Sequence, residues 1–316
     1  MNEIDIQIKS LLHSAQNILV VSHVRPDGDA IGSCLALGLA LKNAGKNVEM
    51  VLNDGVPASF NHLPGHELIL KSPTREADLF ITVDCADFRR TGKQFETHRK
   101  PEINIDHHVT NEKYGQINLI EPESVATSAV LTGHLEEWGL EITKDIAANL
   151  ATGIVTDTLG FRTSNTTSTS LRQAAKLVDL GIDMPNLYNR ALVSRTFQAA
   201  KYWGAGLSSL TTLDGIVYAT LRLEDRMAAG YGGSDDADLI NVISAIDDHV
   251  VGMIFVEQQG TVKISWRALR PNIDVSKIAT FFNGGGHKAA AGADIVGDLA
   301  EIQTRVLSKT REMLNL

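Results

Sequence analysis

NILVVSHVRPDGDAIGS, residues 17–33, holds the start of a fold and the start of a site in one stretch. Asn17 to Ser22 is a short apolar run ending in polar residues, the pattern of a strand buried on both faces of a parallel sheet. Ala30 to Ala44 follows with helical spacing, and Gly45 stops it. Between them Pro26 and Gly28 fold the loop tightly. His23, Asp27 and Asp29 therefore converge at the carboxyl end of the strand, where doubly wound sheets bind ligands. A turn with a helix cap accounts for one aspartate; a histidine and two aspartates this close together ask for more.

The same alternation continues outward. Val48–Leu52, Leu79–Val83 and Ile103–Ile105 read as further strands, and Thr127–Trp138 and Ile142–Val155 as helices. Strands alternating with helices predict an α/β domain built on a doubly wound, mainly parallel sheet. Thr166 and Thr167 begin a helix that runs through Leu180 and that Gly181 stops. Leu187–Leu207 contains no proline and reads as one long helix joining two domains. Beyond it, strand-like Ile216–Leu223, Val250–Val256, Val262–Ala268 and Ala289–Ile295 mix with helix-like Asp236–Ala245, Val275–Phe282 and Ala300–Leu314, a smaller α+β or α/β domain. The expected division is a first domain over 1–185, a helical linker over 186–207 and a second domain over 208–316.

Composition narrows the class. With 316 residues, 43% apolar and 21% charged, the chain reads as a two-domain soluble protein. No apolar run reaches the roughly 20 residues that span a bilayer, and MNEIDIQIKSLLHS at the start lacks the apolar core of an export signal. Cys34 and Cys85 read as buried filler and suit a reducing compartment. A cytoplasmic location and no membrane partner are expected. The net charge of −9 argues against a grip on long duplex nucleic acid, and two bound dications would cancel four of those charges.

Three more segments carry acids or imidazoles at strand or helix ends. VDCAD, residues 83–87, places Asp84 just past a strand; IDHH, residues 105–108, places Asp106, His107 and His108 past another. GIVTDT, residues 153–158, sets Asp157 at the end of a helix, against the macrodipole, a local conflict of the kind functional sites show. Carboxylates packed together repel and raise one another's pKa, and cations resolve that conflict. Oxygen donors with imidazole and no thiolate suit manganese, magnesium or a comparable divalent ion, in numbers sufficient for two ions about 3.5–4 Å apart. The remaining histidines, His13, His62, His66, His98, His134 and His249, read as surface or satisfied core residues.

A second kind of feature is GGGHKAAAG, residues 284–292. Gly284, Gly285 and Gly286 permit close backbone approach and an anion nest. His287 and Lys288 add donors, and Arg267 adds a bidentate fork for phosphate. The first domain would then hold metals and the second would grip a nucleotide, clamping a substrate of limited length.

HVRPDGDAIGS, VDCAD, IDHHVTN and GIVTDT together resemble the four motifs of the DHH phosphoesterases, and GGGHKAAAG resembles the signature of the DHHA1 domain that often follows them. The resemblance covers nearly the whole chain and is most similar to the bifunctional oligoribonuclease and pAp phosphatase group, the nanoRNases. It implies hydrolysis of short single-stranded oligoribonucleotides and of 3′-phosphoadenosine 5′-phosphate with two divalent ions, Mn2+ first, with Mg2+ or Co2+ as alternatives. By motif, His23, Asp27 and Asp84 would hold one ion, and Asp29, Asp84, His107 and Asp157 the other, with Asp84 bridging. Asp106 would orient His107, and His108 would contact the scissile phosphate or assist the leaving group. Gly284–Gly286, His287 and Arg267 would bind substrate. A homodimer through the first domain is implied only by the resemblance. Two other readings stand beside it: a phosphodiesterase for cyclic di-AMP or pApA, and a nucleotide-binding sensor without turnover.

Overall fold

The computed structural model describes residues 2–95 and 99–316; His98 lies outside them. The chain divides into two compact units, Met1–Ser194 and Arg195–Leu316.

The first unit carries a six-stranded sheet of β1 (Asn17–Val21), β2 (Asn47–Val51), β3 (Ile69–Leu70), β4 (Leu79–Val83), β5 (Ile103–Asp106) and β6 (Ile117–Ile120). All neighbours pair in parallel, in the order β3-β2-β1-β4-β5-β6. That is the strand order of a doubly wound sheet, and its direction reverses between β1 and β4. Loops leaving these two strands diverge and open a crevice at their carboxyl ends. β4 is buried along its whole length, as a continuous apolar run requires.

One face of this sheet is covered by α1 (Glu3–Ser14), α2 (Gly28–Asn43), α3 (Thr127–His134) and α4 (Lys144–Asp157), whose apolar residues share a core with Ile18, Val20, Ile81 and Ile105. Short 3-10 turns close the other face, where Phe88 and Phe95 pack on Leu19, Val21, Val51 and Phe80. α5 (Ser168–Asp179) follows with Thr167 as its cap, then α6 (Met184–Tyr188).

α2 is buried on nearly all sides because α4 lies close against it. A Cβ on Gly32 would strike the carbonyl oxygen of Asn149, so only glycine fits there. The pairing is antiparallel: the start of α2 meets the end of α4. Asp29 in the first turn of α2 and Asp157 in the last turn of α4 therefore lie at the same end.

The single long helix expected over 187–207 is not formed. A π-helical turn over Asn189–Val193 gives way at Ser194, whose ψ of 128° is extended. α7 (Phe197–Ser208) then starts afresh, with Thr196 Oγ1 accepting the N–H of Ala199 at 3.1 Å. A hydroxyl that caps a new helix competes with continuing the old one.

The second unit is built on β7 (Thr211–Leu213), β8 (Ile216–Leu221), β9 (Val251–Gln258), β10 (Thr261–Ala268), β11 (Gly285–Gly286) and β12 (Ala290–Val296), in the order β11-β12-β10-β9-β8-β7. Only β8 and β9 run in parallel. α10 (Val275–Phe281) and α11 (Leu299–Leu314) pack on one face around Trp266; α7, α8 (Leu223–Ala229) and α9 (Leu239–Ile243) pack on the other around Tyr202. Among the described residues no helix is long and apolar enough to cross a membrane.

Candidate metal centre

The loop after β1, the loop after β4, the end of β5 and the end of α4 bring their acids and imidazoles together. Among the described residues, His23, Asp27 and Asp84 each offer one donor atom within 4.8 Å of the others, and so do Asp29, His107 and Asp157. These are the two donor sets expected from the motifs, apart from the shared membership of Asp84 in the second. That carboxylate turns one oxygen to each side. Its Oδ2 lies 3.6 Å from Nε2 of His23, and its Oδ1 lies 3.8 Å from Nε2 of His107. A third set, Asp84, Asp106, His107 and His108, overlaps both.

Each imidazole is oriented by its other nitrogen. Nδ1 of His23 faces the carbonyl of Val24 at 2.9 Å, which needs a proton there and leaves Nε2 open toward Asp84 and Asp27. The Arg90 guanidinium, 3.3 Å from the same Nδ1, closes that side of the ring. Nδ1 of His107 faces the carbonyl of Ser124 at 3.3 Å, leaving Nε2 open toward Asp157 at 3.3 Å. Nδ1 of His108 lies 2.7 Å from Asp106 Oδ1.

Asp106 differs from the role expected of it. It accepts the backbone N–H of His107 at 2.8 Å, but the ring it holds is that of His108. Its second oxygen accepts from Asn111 at 2.6 Å, so the buried carboxylate is fixed from both sides. β5 ends at Asp106, so both histidines lie in the loop beyond the strand, and both rings turn toward Asp84 Oδ1, His107 at 3.8 Å and His108 at 3.7 Å.

Asp29 accepts the N–H groups of Thr127 and Ser128, at 2.6 and 2.9 Å. Ala126, just before α3, caps it with no side-chain hydrogen bond. The orphan N–H groups of that helix thus find their acceptor 98 residues upstream in sequence. Thr127 also donates its hydroxyl to Asp84 at 3.0 Å. Sequence reasoning missed Thr127, Ser128, Asn111 and Arg90. A helix starting on Thr-Ser without an acidic cap was the available signal for the first two.

The electrostatics fit a cation site. Burial, with the charge of Asp84 beside it, pushes Asp29 up to about 7. Burial and the nearby Asp29, Asp27 and Asp84 hold Asp157 well above the usual carboxylate range. Burial works the same way on Asp84, but the His23 hydrogen bond and the three surrounding imidazoles hold it below that range. Burial would lower His108; the Asp106 hydrogen bond and the charges of Asp84 and Asp106 outweigh it and carry it up to about 9. Burial and mutual repulsion together raise these carboxylates, and a bound cation would relieve both. Cys85 adds no thiolate, since burial pushes it up to about 12 and its Sγ donates to Asp87 O at 3.2 Å. The donor set is carboxylate and imidazole alone, suited to manganese or magnesium.

In the second unit the glycine run is less open than a nest. Gly285 and Gly286 form β11 against Gly292 and Ala291, and His287 N–H bonds Ala290 O at 2.7 Å, closing a hairpin. Gly286 has φ 142°, and a Cβ on Gly284 would strike Gly292 O. Arg267 sits on β10 opposite Ala290, beside this hairpin. It is half-buried, and burial lowers its pKa against the opposing pull of Asp236 and Asp238.

Among the other histidines, His134 is held by Asp5 and Glu121. His62, His66 and His249 each bond a nearby backbone carbonyl. Cys34 and Cys85 are both buried.

The family model for the DHH family, N-terminal domain, matches residues 17–154, and that for the DHHA1 domain matches 226–312. The chain is 34% identical over 303 residues to the bifunctional oligoribonuclease and PAP phosphatase NrnA of Thermus thermophilus, spanning 94% of this chain and 90% of that protein. It is 29% identical over 174 residues to an Exiguobacterium protein named "Probable manganese-dependent inorganic pyrophosphatase", spanning 52% of this chain and 56% of that one. The crystal structure of an exopolyphosphatase-related protein from Bacteroides fragilis superposes with a TM-score of 0.90 at 25% identity, covering 99% of this chain and 98% of that one.

Proposed function

The chain belongs to the DHH–DHHA1 family of phosphoester hydrolases, and on that footing we propose that it is a two-metal phosphoesterase cleaving short oligoribonucleotides and 3′-phosphoadenosine 5′-phosphate. The observation that carries this reading is the placement of Asp84, one oxygen toward His23 and the other toward His107. A shared carboxylate between two donor sets is what two adjacent cations require. The substrate class is supported by the name of the Thermus relative, which gives both activities, and by the acidic net charge of −9, which disfavours long nucleic acid.

His23, Asp27 and Asp84 would hold one ion, and Asp29, Asp84, His107 and Asp157 the other. Divalent cations bound there supply charge neutralisation to the phosphoryl oxygens and a more acidic water. The protein's own residues do the rest. Hydrolysis adds a water oxygen to phosphorus, breaks the bond from phosphorus to the departing sugar oxygen, and leaves that oxygen in need of a proton. His108, kept protonated by Asp106, is the donor to it, and the proton of the attacking water passes to solvent. Asn111 fixes Asp106 and so fixes the donor. In the second unit, Arg267 and the hairpin at Gly284–His287 would bind phosphate.

A comparison of kcat/KM with manganese for pAp, a dinucleotide, a five-nucleotide RNA, cyclic di-AMP and pyrophosphate tests the assignment. pAp and the short RNAs should lead. Faster cleavage of cyclic di-AMP would replace the proposed substrate class, and no turnover of any of them would end the reading.

A further inference from the structure

Outside the donor sets, the least ordinary group in the first unit is a buried carboxylate on α1. Asp5 is 1% exposed, and an isolated charge there would be costly. It accepts from Nδ1 of His134 at 2.7 Å and from the Trp138 indole at 3.0 Å. The other nitrogen of His134 meets Oε1 of Glu121 at 2.8 Å. An ion pair that merely tied α1 to α3 would end there. Oε2 of Glu121 instead accepts the hydroxyl of Ser124 at 3.0 Å, and the Glu121 carbonyl accepts the N–H of Ser124 at 2.9 Å. The turn from Glu121 to Ser124 is thus closed twice, by side chain and by backbone. Its product is the position of the Ser124 carbonyl, which faces Nδ1 of His107 at 3.3 Å. Glu121 is also anchored to the strand that carries the imidazoles, its N–H bonding Asp106 O at 3.0 Å.

We propose that Glu121, braced by His134 and Asp5, is a positioning residue for His107: it fixes the turn whose carbonyl holds the ring with Nε2 presented to Asp157 and Asp84. Partners one step behind a ligand imidazole set its tautomer and orientation, and losing them typically weakens metal binding about 10–100-fold. The inference rests on the metal-centre reading above and adds residues that no DHH motif quoted in the sequence contains.

Mn2+ titrations of the metal-free full chain, followed by loss of the free-ion electron paramagnetic resonance signal, test it. Wild type should bind two ions. Glu121→Ala should weaken one of the two binding steps by about tenfold or more and the other much less. Glu121→Gln keeps an oxygen for Ser124 and a group facing His134, and should recover most of the loss. Thr167→Ala, which removes the cap of α5 away from this network, should lower thermal stability without changing either step. Wild-type affinity in Glu121→Ala, or an equal loss of affinity in Glu121→Ala and Thr167→Ala, overturns the positioning role and leaves the metal centre standing. Failure of the wild-type chain to bind Mn2+ removes both.

Discussion

Asp84 faces His23 across 3.6 Å, Oδ2 to Nε2, from a backbone at φ 51°. Left-handed backbone is uncommon outside glycine and is tolerated best by Asp and Asn. Here it follows the last residue of β4, Val83. Asp84→Asn keeps the size and the backbone tolerance but removes the charge. It should fold with a far-ultraviolet spectrum like the wild type and lose at least about a thousandfold in kcat, because charge stabilisation in such sites acts mainly on the transition state. Initial rates on pAp with manganese measure it.

His108 is separable from the donor sets in this scheme. His108→Ala should reduce kcat by about 10²–10⁴, the usual range for a lost proton donor, while Mn2+ binding stays near wild type. A matching loss of metal affinity would reassign it as a ligand.

Close packing of α2 and α4 sets the site from behind. A Cβ on Gly153 would run into Ser128 Oγ and lie 2.5 Å from Asp29 Oδ1. Gly153→Ala should therefore cost about 1–3 kcal/mol of stability, as overpacking does. It should also displace Asp29 and weaken metal binding, an outcome readable by calorimetry of apo and manganese-loaded protein side by side.

Much of this was legible in the sequence because it is local. β1 and β4 are mostly apolar runs, and the acids and imidazoles after them, His23 to Asp29 and Asp84, are fixed to their ends by chain connectivity, as Asp106 to His108 are to the end of the short β5. β3, two residues long, and β6, INLI with asparagine inside it, lack that signature and gain their identity from parallel neighbours. Which ring Asp106 holds is set by the loop that begins after the last residue of β5, where no periodicity applies. The partnership of Asp29 with Thr127 and Ser128 is a contact between distant segments that no periodicity encodes. The break at Ser194 turned on one capping threonine in a stretch whose apolar spacing favoured continuity.

The Asp5–His134–Glu121 network makes a pH prediction for the metal-free protein. Hydrogen bonding to Glu121 and the nearby carboxylates raise His134 above its usual 6.5. Stability from that shift is fully present below 6.5 and is lost as pH rises through the folded value. Hydrogen bonding to His134 lowers Glu121 below its usual 4.5, so its share is present above 4.5 and is lost as pH falls through the folded value. The Tm difference between wild type and Glu121→Gln should thus be greatest between pH 4.5 and 6.5 and should shrink on both sides. A difference that stays flat from well below pH 4.5 to well above pH 6.5 would show that the pair carries no charge.

The most direct test is the number of manganese ions that the metal-free wild-type chain binds, counted by isothermal titration calorimetry. Two per chain are expected, falling to one or none in Asp84→Asn. A wild-type chain that binds no manganese, or that turns over pAp undiminished in excess chelator, would contradict the shared-carboxylate centre.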